Sequence, residues 1–168
     1  MKPVVSIIMG STSDLPVMEK AMKFLDDMEV PFEVNALSAH RTPDAVEAFA
    51  KNAARRGIKV IIAGAGMAAA LPGVIAASTT LPVIGVPIKG SVLDGVDALY
   101  SILQMPPGIP VATVAINGAM NAAILACQMI ALGDEAMAKK LSDYKMTLGD
   151  KIEKANRELK EIKYNYKV

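Results

Sequence analysis

Residues 59–66 read KVIIAGAG. The apolar side chains run without a break, where a strand with one wet face would alternate apolar and polar. A continuous run of this length, rich in β-branched residues and ending in glycines, predicts a strand buried on both faces of a parallel sheet. Further strand-like segments lie on either side. VVSIIMG (4–10), FEVNAL (32–37), LPVIGVPI (81–88) and IPVATVAI (109–116) read as four more strands.

Helical periodicity fills the gaps. Leu15 to Met28 places Val17, Ala21, Met22, Leu25 and Met28 at helical spacing. Pro43 to Arg56 predicts a second helix, with Thr42 as its cap, Pro43 at its first position and Asp44 at its positive end. Further helices are expected after Gly66, near 94–103 and over 118–132. Strands alternating with helices and joined by right-handed crossovers give a three-layer, doubly wound α/β domain.

In such sheets a ligand sits at the carboxyl ends of the strands. The loops expected there are GSTSD, SAHRTPD, GAGMAAALPG and PIKGSVLDG. SAHRTPD (38–44) holds His40, the single histidine of the 168 residues, with Arg41 beside it. His40 is the one side chain whose ordinary pKa lies near neutrality. Arg41 and the helix start that follows both disfavour a charged imidazole, so His40 is expected neutral and ready to take a proton. Arg41 is suited to grip a phosphate or carboxylate.

GSTSD follows the first strand and opens the first helix. Free backbone N–H groups, the positive helix end and the hydroxyls of Ser11, Thr12 and Ser13 suit a phosphate there. Asp14 could accept from a pair of sugar hydroxyls. The pattern lacks GxxxxGK[ST], which removes support for ATP hydrolysis. GAGMAA (64–69) fits GxGxx[GA], but no acid ends the next strand to hold a ribose. The small residues are read instead as letting backbone approach a flat ligand.

Composition excludes several classes. Hydrophobic residues make up 52% and net charge is +1, so a packed core is expected and a basic stripe for nucleic acid is not. Aromatics at 4% leave few stacking platforms. One cysteine, Cys127, allows no internal disulfide and reads as a buried thiol. One Cys and one distant His make no metal cluster. The opening residues are too short in their apolar part for a secretory signal, and the longest apolar run falls short of a membrane span. A cytoplasmic protein that does not bind membrane is expected. One catalytic domain over 1–168 is expected, with a core at 3–132 and a helical arm at about 134–166. In that arm Tyr144, Leu148, Ile152, Ala155, Leu159, Ile162 and Tyr166 recur three or four apart, with a break expected at Gly149. Residues 142–166, fully helical, would span about 37 Å, and a stripe of that length suits an oligomer contact.

Taken together and in order, GSTSDLPVM, SAHRTPD, RGIKVIIAGAG, LPG, LPVIGVP, SILQMPPGIPVATVAI and NAA resemble the 5-(carboxyamino)imidazole ribonucleotide mutase family. Its older name is phosphoribosylaminoimidazole carboxylase catalytic subunit. The likeness covers about residues 3–132. It implies a flavodoxin-like fold, purine biosynthesis, a homo-octamer with sites at subunit contacts, and no cofactor or metal. The reaction it implies moves a carboxylate from the exocyclic nitrogen of a ribonucleotide to ring carbon four, through carbon dioxide released and recaptured. It assigns His40 as general acid and base. It places Ser11, Ser13, Asp14 and Arg41, with Gly10, at phosphate and ribose. Ser38, Ala39, Gly64, Ala65, Gly66, Ala70 and Leu71 would border the imidazole and its carboxylate.

The chain departs from the family at two places. It reads AALPG where the family usually reads AHLPG, which puts Ala70 in place of a histidine, and Met67 stands where glycine is common. Relatives that carboxylate 5-aminoimidazole ribonucleotide directly with carbon dioxide also lack that histidine, so direct carboxylation is the alternative activity. A non-catalytic nucleotide- or flavin-binding module is the second alternative.

Overall fold

The computed structural model describes all residues, 1–168. The chain falls into two compact units, Met1–Ile130 and Ala131–Val168. The first unit carries five strands: β1 (Val5–Met9), β2 (Phe32–Ala36), β3 (Val60–Gly66), β4 (Val83–Ile88) and β5 (Ala112–Thr113). They form one sheet in the order β2-β1-β3-β4-β5, and every pairing is parallel. This is the flavodoxin-like order, with its switch point between β1 and β3.

The helices between them are α1 (Leu15–Asp27), α2 (Pro43–Arg56), α3 (Leu71–Ala77), α4 (Val96–Leu103) and α5 (Ala119–Ala131). Side chains alternate across the sheet. Ile61, Ala63 and Ala65 of β3 join one apolar cluster with Val46, Ala50 and Ala53 of α2, Leu71 and Ile75 of α3, and Ala98 and Ile102 of α4. On the other face, a side chain at Gly64 would meet the Met18 sulfur of α1 at 2.6 Å, so glycine here leaves room for the Met18 side chain. The largest fully buried side chains include Ile7, Ile8, Ile61, Ile62, Ile84 and Ile102, each contributing about 1.5–3 kcal/mol by burial.

Three local expectations change. The buried face of α1 is Met18, Ala21, Phe24 and Leu25, whereas Val17 and Met22 are only half-buried. Thr42 holds the cap position of α2 but makes no side-chain cap. Its hydroxyl donates to the Ser38 carbonyl at 3.1 Å and accepts from the Ser38 N–H at 3.0 Å. The last strand shrinks to Ala112–Thr113, paired only as Ile84↔Ala112 and Gly85↔Thr113. It lies at the sheet edge, and Pro110 has no N–H to extend the ladder. Helix α2 ends at Arg56 as expected, and there Gly57 adopts φ 97° and its N–H donates to the Ala53 and Ala54 carbonyls.

The second unit is one helix, α6 (Glu135–Glu161). Asp134 caps it by accepting from the Met137 N–H at 3.0 Å. Its length is about 40 Å. It begins before residue 142, runs unbroken through Gly149 and ends before Ile162 and Tyr166. A glycine inside a helix costs about 1 kcal/mol relative to alanine. One such cost is outweighed in a helix of 27 residues with i,i+4 ion pairs such as Lys139–Asp143 at 2.9 Å.

Candidate active site

At the carboxyl ends of β1 to β4 the loops enclose a cavity of about 760 Å³, a size that suits a nucleotide-sized ligand. The loop after β1 contributes Gly10, Ser11, Ser13 and Asp14. Ser11 accepts from the Ser13 N–H at 3.3 Å and starts a single 3-10 turn, Thr12–Asp14, that leads into α1. Asp14 takes the cap position of α1 without making a side-chain cap, so the first N–H groups of that helix keep no side-chain partner. Asp14 is buried, and burial raises its carboxyl above the usual value. Hydrogen bonds from the Ser11 and Gly10 backbone and from the Ser13 side chain oppose that rise.

The loop after β2 contributes Ser38, Ala39, His40 and Arg41. It is a closed turn. Thr42 N–H donates to the Ser38 carbonyl at 2.8 Å, and the Ser38 hydroxyl oxygen accepts from Arg41 N–H at 3.2 Å and Arg41 Nε at 3.3 Å. Arg41 also reaches to the end of β1 and donates from Nη2 to the Gly10 carbonyl at 3.0 Å. Three of its five N–H groups remain for an anion. The Ser38 N–H is spent on Thr42, so a ligand would meet Ser38 at its hydroxyl. His40 is exposed between these fixed neighbours.

The loop after β3 contributes Ala65, Gly66, Met67, Ala68, Ala69, Ala70 and Leu71. Met67 adopts φ 52°, the left-handed region, and is exposed. Ala70 is the cap residue of α3. Gly64 does not line the cavity. It accepts from the Gly10 N–H at 3.3 Å and so ties the first loop to β3 from behind. The loop after β4 adds Ile88, Lys89, Gly90 and Ser91. These four were not singled out from sequence, although PIKGSVLDG was placed on this edge. Lysine next to glycine and serine has no pattern of its own to mark it.

One histidine, one arginine, one lysine and one buried carboxylate therefore share a cavity with small residues opposite. The set can hold an anion at the β1 end and move a proton nearby. No three His, Cys, Asp or Glu side chains lie together as a metal site. Cys127 is buried, and burial pushes its thiol up to about 11. No helix is long and apolar enough to cross a membrane.

Comparison with known proteins bears on this geometry. The sequence pattern of a family described as AIR carboxylase matches residues 4–151. The chain is 60% identical over 143 residues to the phosphoribosylaminoimidazole carboxylase of Candida glabrata, covering 85% of this chain and 25% of that protein. It spans about a quarter of such fungal relatives. It is 53% identical over 161 residues to the N5-carboxyaminoimidazole ribonucleotide mutase of Pyrococcus horikoshii, covering 96% of this chain and 91% of that one. A crystal structure of Treponema denticola PurE2-S38D superposes with a TM-score of 0.87 at 31% identity, covering 96% of this chain and all of that one.

Proposed function

This chain belongs to the AIR carboxylase family, and from that premise we propose that it is an N5-carboxyaminoimidazole ribonucleotide mutase, an isomerase of purine biosynthesis. One observation carries the reading. The cavity gathers the loops of four strands around a fixed arginine, a buried aspartate and the chain's one histidine.

The phosphate of the ribonucleotide sits at Ser11, Ser13 and Arg41, against the Gly10 backbone and the start of α1. Asp14 accepts from the ribose hydroxyls. Ala65, Gly66 and Leu71, with Ser38 and Ala39, border the imidazole, and Ala70 faces its carboxylate. Protonated His40 gives its proton to the exocyclic nitrogen as the N–C bond breaks, releasing carbon dioxide and leaving an amine. Ring carbon four then attacks the carbon dioxide held in the cavity. Neutral His40 removes the proton left on that carbon, which restores the aromatic ring and the charged imidazole. The proton balance closes on one residue, and neither a cofactor nor a metal enters. The working form is a cytoplasmic homo-octamer, with α6 supplying contacts between copies.

Direct carboxylation of 5-aminoimidazole ribonucleotide is the second reading. It is favoured by Ala70, whose methyl group offers no donor to a bound carboxylate. Paired turnover measurements separate the two. The mutase converts the N-carboxylated ribonucleotide much faster than 5-aminoimidazole ribonucleotide plus bicarbonate. The reverse order makes the chain a carboxylase, and activity on neither substrate overturns both readings.

A further inference from the structure

Lys89 is the cavity's second cation, and nothing described so far uses it. Its backbone is clamped from two sides. The Lys89 N–H donates to the Asn117 side-chain carbonyl at 2.9 Å. Asn117 adopts φ 58° to make that approach. Gly95 packs so close that a side chain there would meet the Lys89 Cα at 3.0 Å. The side chain, by contrast, has only Asp94, at 2.9 Å, and the two are 57% and 75% exposed. An exposed pair of this kind contributes little, so another carboxylate can take the ammonium at small cost.

Position decides what that carboxylate is. The Arg41 guanidinium lies over the end of β1, at Gly10, and Lys89 follows the end of β4. In the order β2-β1-β3-β4 these ends are two strand spacings apart, roughly 10 Å. Cations set at the two ends of the cavity in this way suit a ligand that carries an anion at each end. Between them lies the small-residue loop Gly66–Ala70, which carries no charge.

We propose that Lys89 is a specificity residue that leaves Asp94 to bind the carboxylate on ring carbon four, while Arg41 holds the phosphate at the far end. This deepens the mutase reading and rests on it. Lys89 supplies the charged donor that Ala70 cannot.

Calorimetric titration with two ribonucleotides tests it: 5-aminoimidazole ribonucleotide, which has the phosphate only, and its 4-carboxy product, which has both anions. Lys89→Gln is expected to weaken the 4-carboxy compound roughly ten- to a hundredfold. Affinity for the uncarboxylated compound is expected to stay within about twofold, the scatter of a neutral change. Lys89→Arg, which keeps the charge, retains more of the discrimination than Lys89→Gln. Equal losses for both compounds, or no loss for either, overturn the role of Lys89 and leave the mutase reading standing. If the unaltered protein binds neither compound, the mutase reading falls, and the role of Lys89 falls with it.

Discussion

Arg41 donates to the Gly10 carbonyl at 3.0 Å, and this bond fastens the loop that carries His40 to the loop that opens α1. Two strands contribute the two loops, and β1 and β2 are neighbours in the sheet, so the bond spans one strand spacing. A single guanidinium thus ties the two loops together and keeps three N–H groups unused by the protein.

Arg41→Ala removes both the tie and those N–H groups, and ligand choice separates the two effects. Loss of a charge-assisted hydrogen bond to phosphate costs about 1.5–3 kcal/mol, roughly ten- to a hundredfold in affinity. That share is absent for the ribonucleoside. The ribonucleotide is therefore expected to lose much more affinity than the ribonucleoside. Equal losses would mean that Arg41 acts only through the loop.

Met67 sits at φ 52° with its side chain exposed. The left-handed region costs a non-glycine residue about 1–2 kcal/mol, while glycine adds about 0.5–1 kcal/mol of chain entropy to folding. Met67→Gly is expected to gain a few tenths to about 1 kcal/mol, read as a higher denaturant midpoint at unchanged slope. A lower midpoint would show that Met67 makes contacts that outweigh its strain.

Asp14 links stability to pH. Burial raises its folded pKa above the ordinary 3.8. Its contribution is then fully present below the unfolded value and is lost as pH rises through the folded value. Asp14→Asn does not titrate, so it is expected to unfold at higher denaturant than the parent at pH 7. That advantage shrinks as pH falls towards 3.8. The same change weakens ribonucleotide binding, because half of its acceptor is gone. An advantage that grows at low pH would contradict this sign.

Ala70 caps α3 and lines the cavity beside the uncharged loop. Ala70→His adds a donor for the migrating carboxylate. Because Lys89 already meets that group in the product, the expected gain in turnover is near the low end of such bonds, about tenfold. A slower variant would make Ala70 a working part of the site and favour direct carboxylation.

The layered sheet was legible because KVIIAGAG and LPVIGVPI are apolar on both faces, as strands covered on both sides are, and because helical patterns separate the strands; β2, at the sheet edge, alternates and has no buried residue. The His40 loop was legible from its residue types and its place on the strand ends. Other features depend on partners distant in sequence. The burial of Met18 follows from the absence of a side chain at Gly64. Thr42 fails to cap because Ser38 takes its hydroxyl. The shortness of β5 follows from its edge position, and Lys89 gains meaning only opposite Arg41. Gly149 shows the reverse case, where a local breaker loses to the helix around it.

The central claim is that His40 moves the proton, and turnover of His40→Asn on the N-carboxylated ribonucleotide tests it most directly. Asparagine keeps the polarity and approximate size of the side chain but cannot take up a proton. His40 is exposed and lies in a turn closed by Ser38, Arg41 and Thr42, so the fold is expected to survive. The prediction is a loss of roughly 10²–10⁴ in rate, with ribonucleotide affinity nearly unchanged. Turnover close to that of the unaltered protein, at equal affinity, would contradict it.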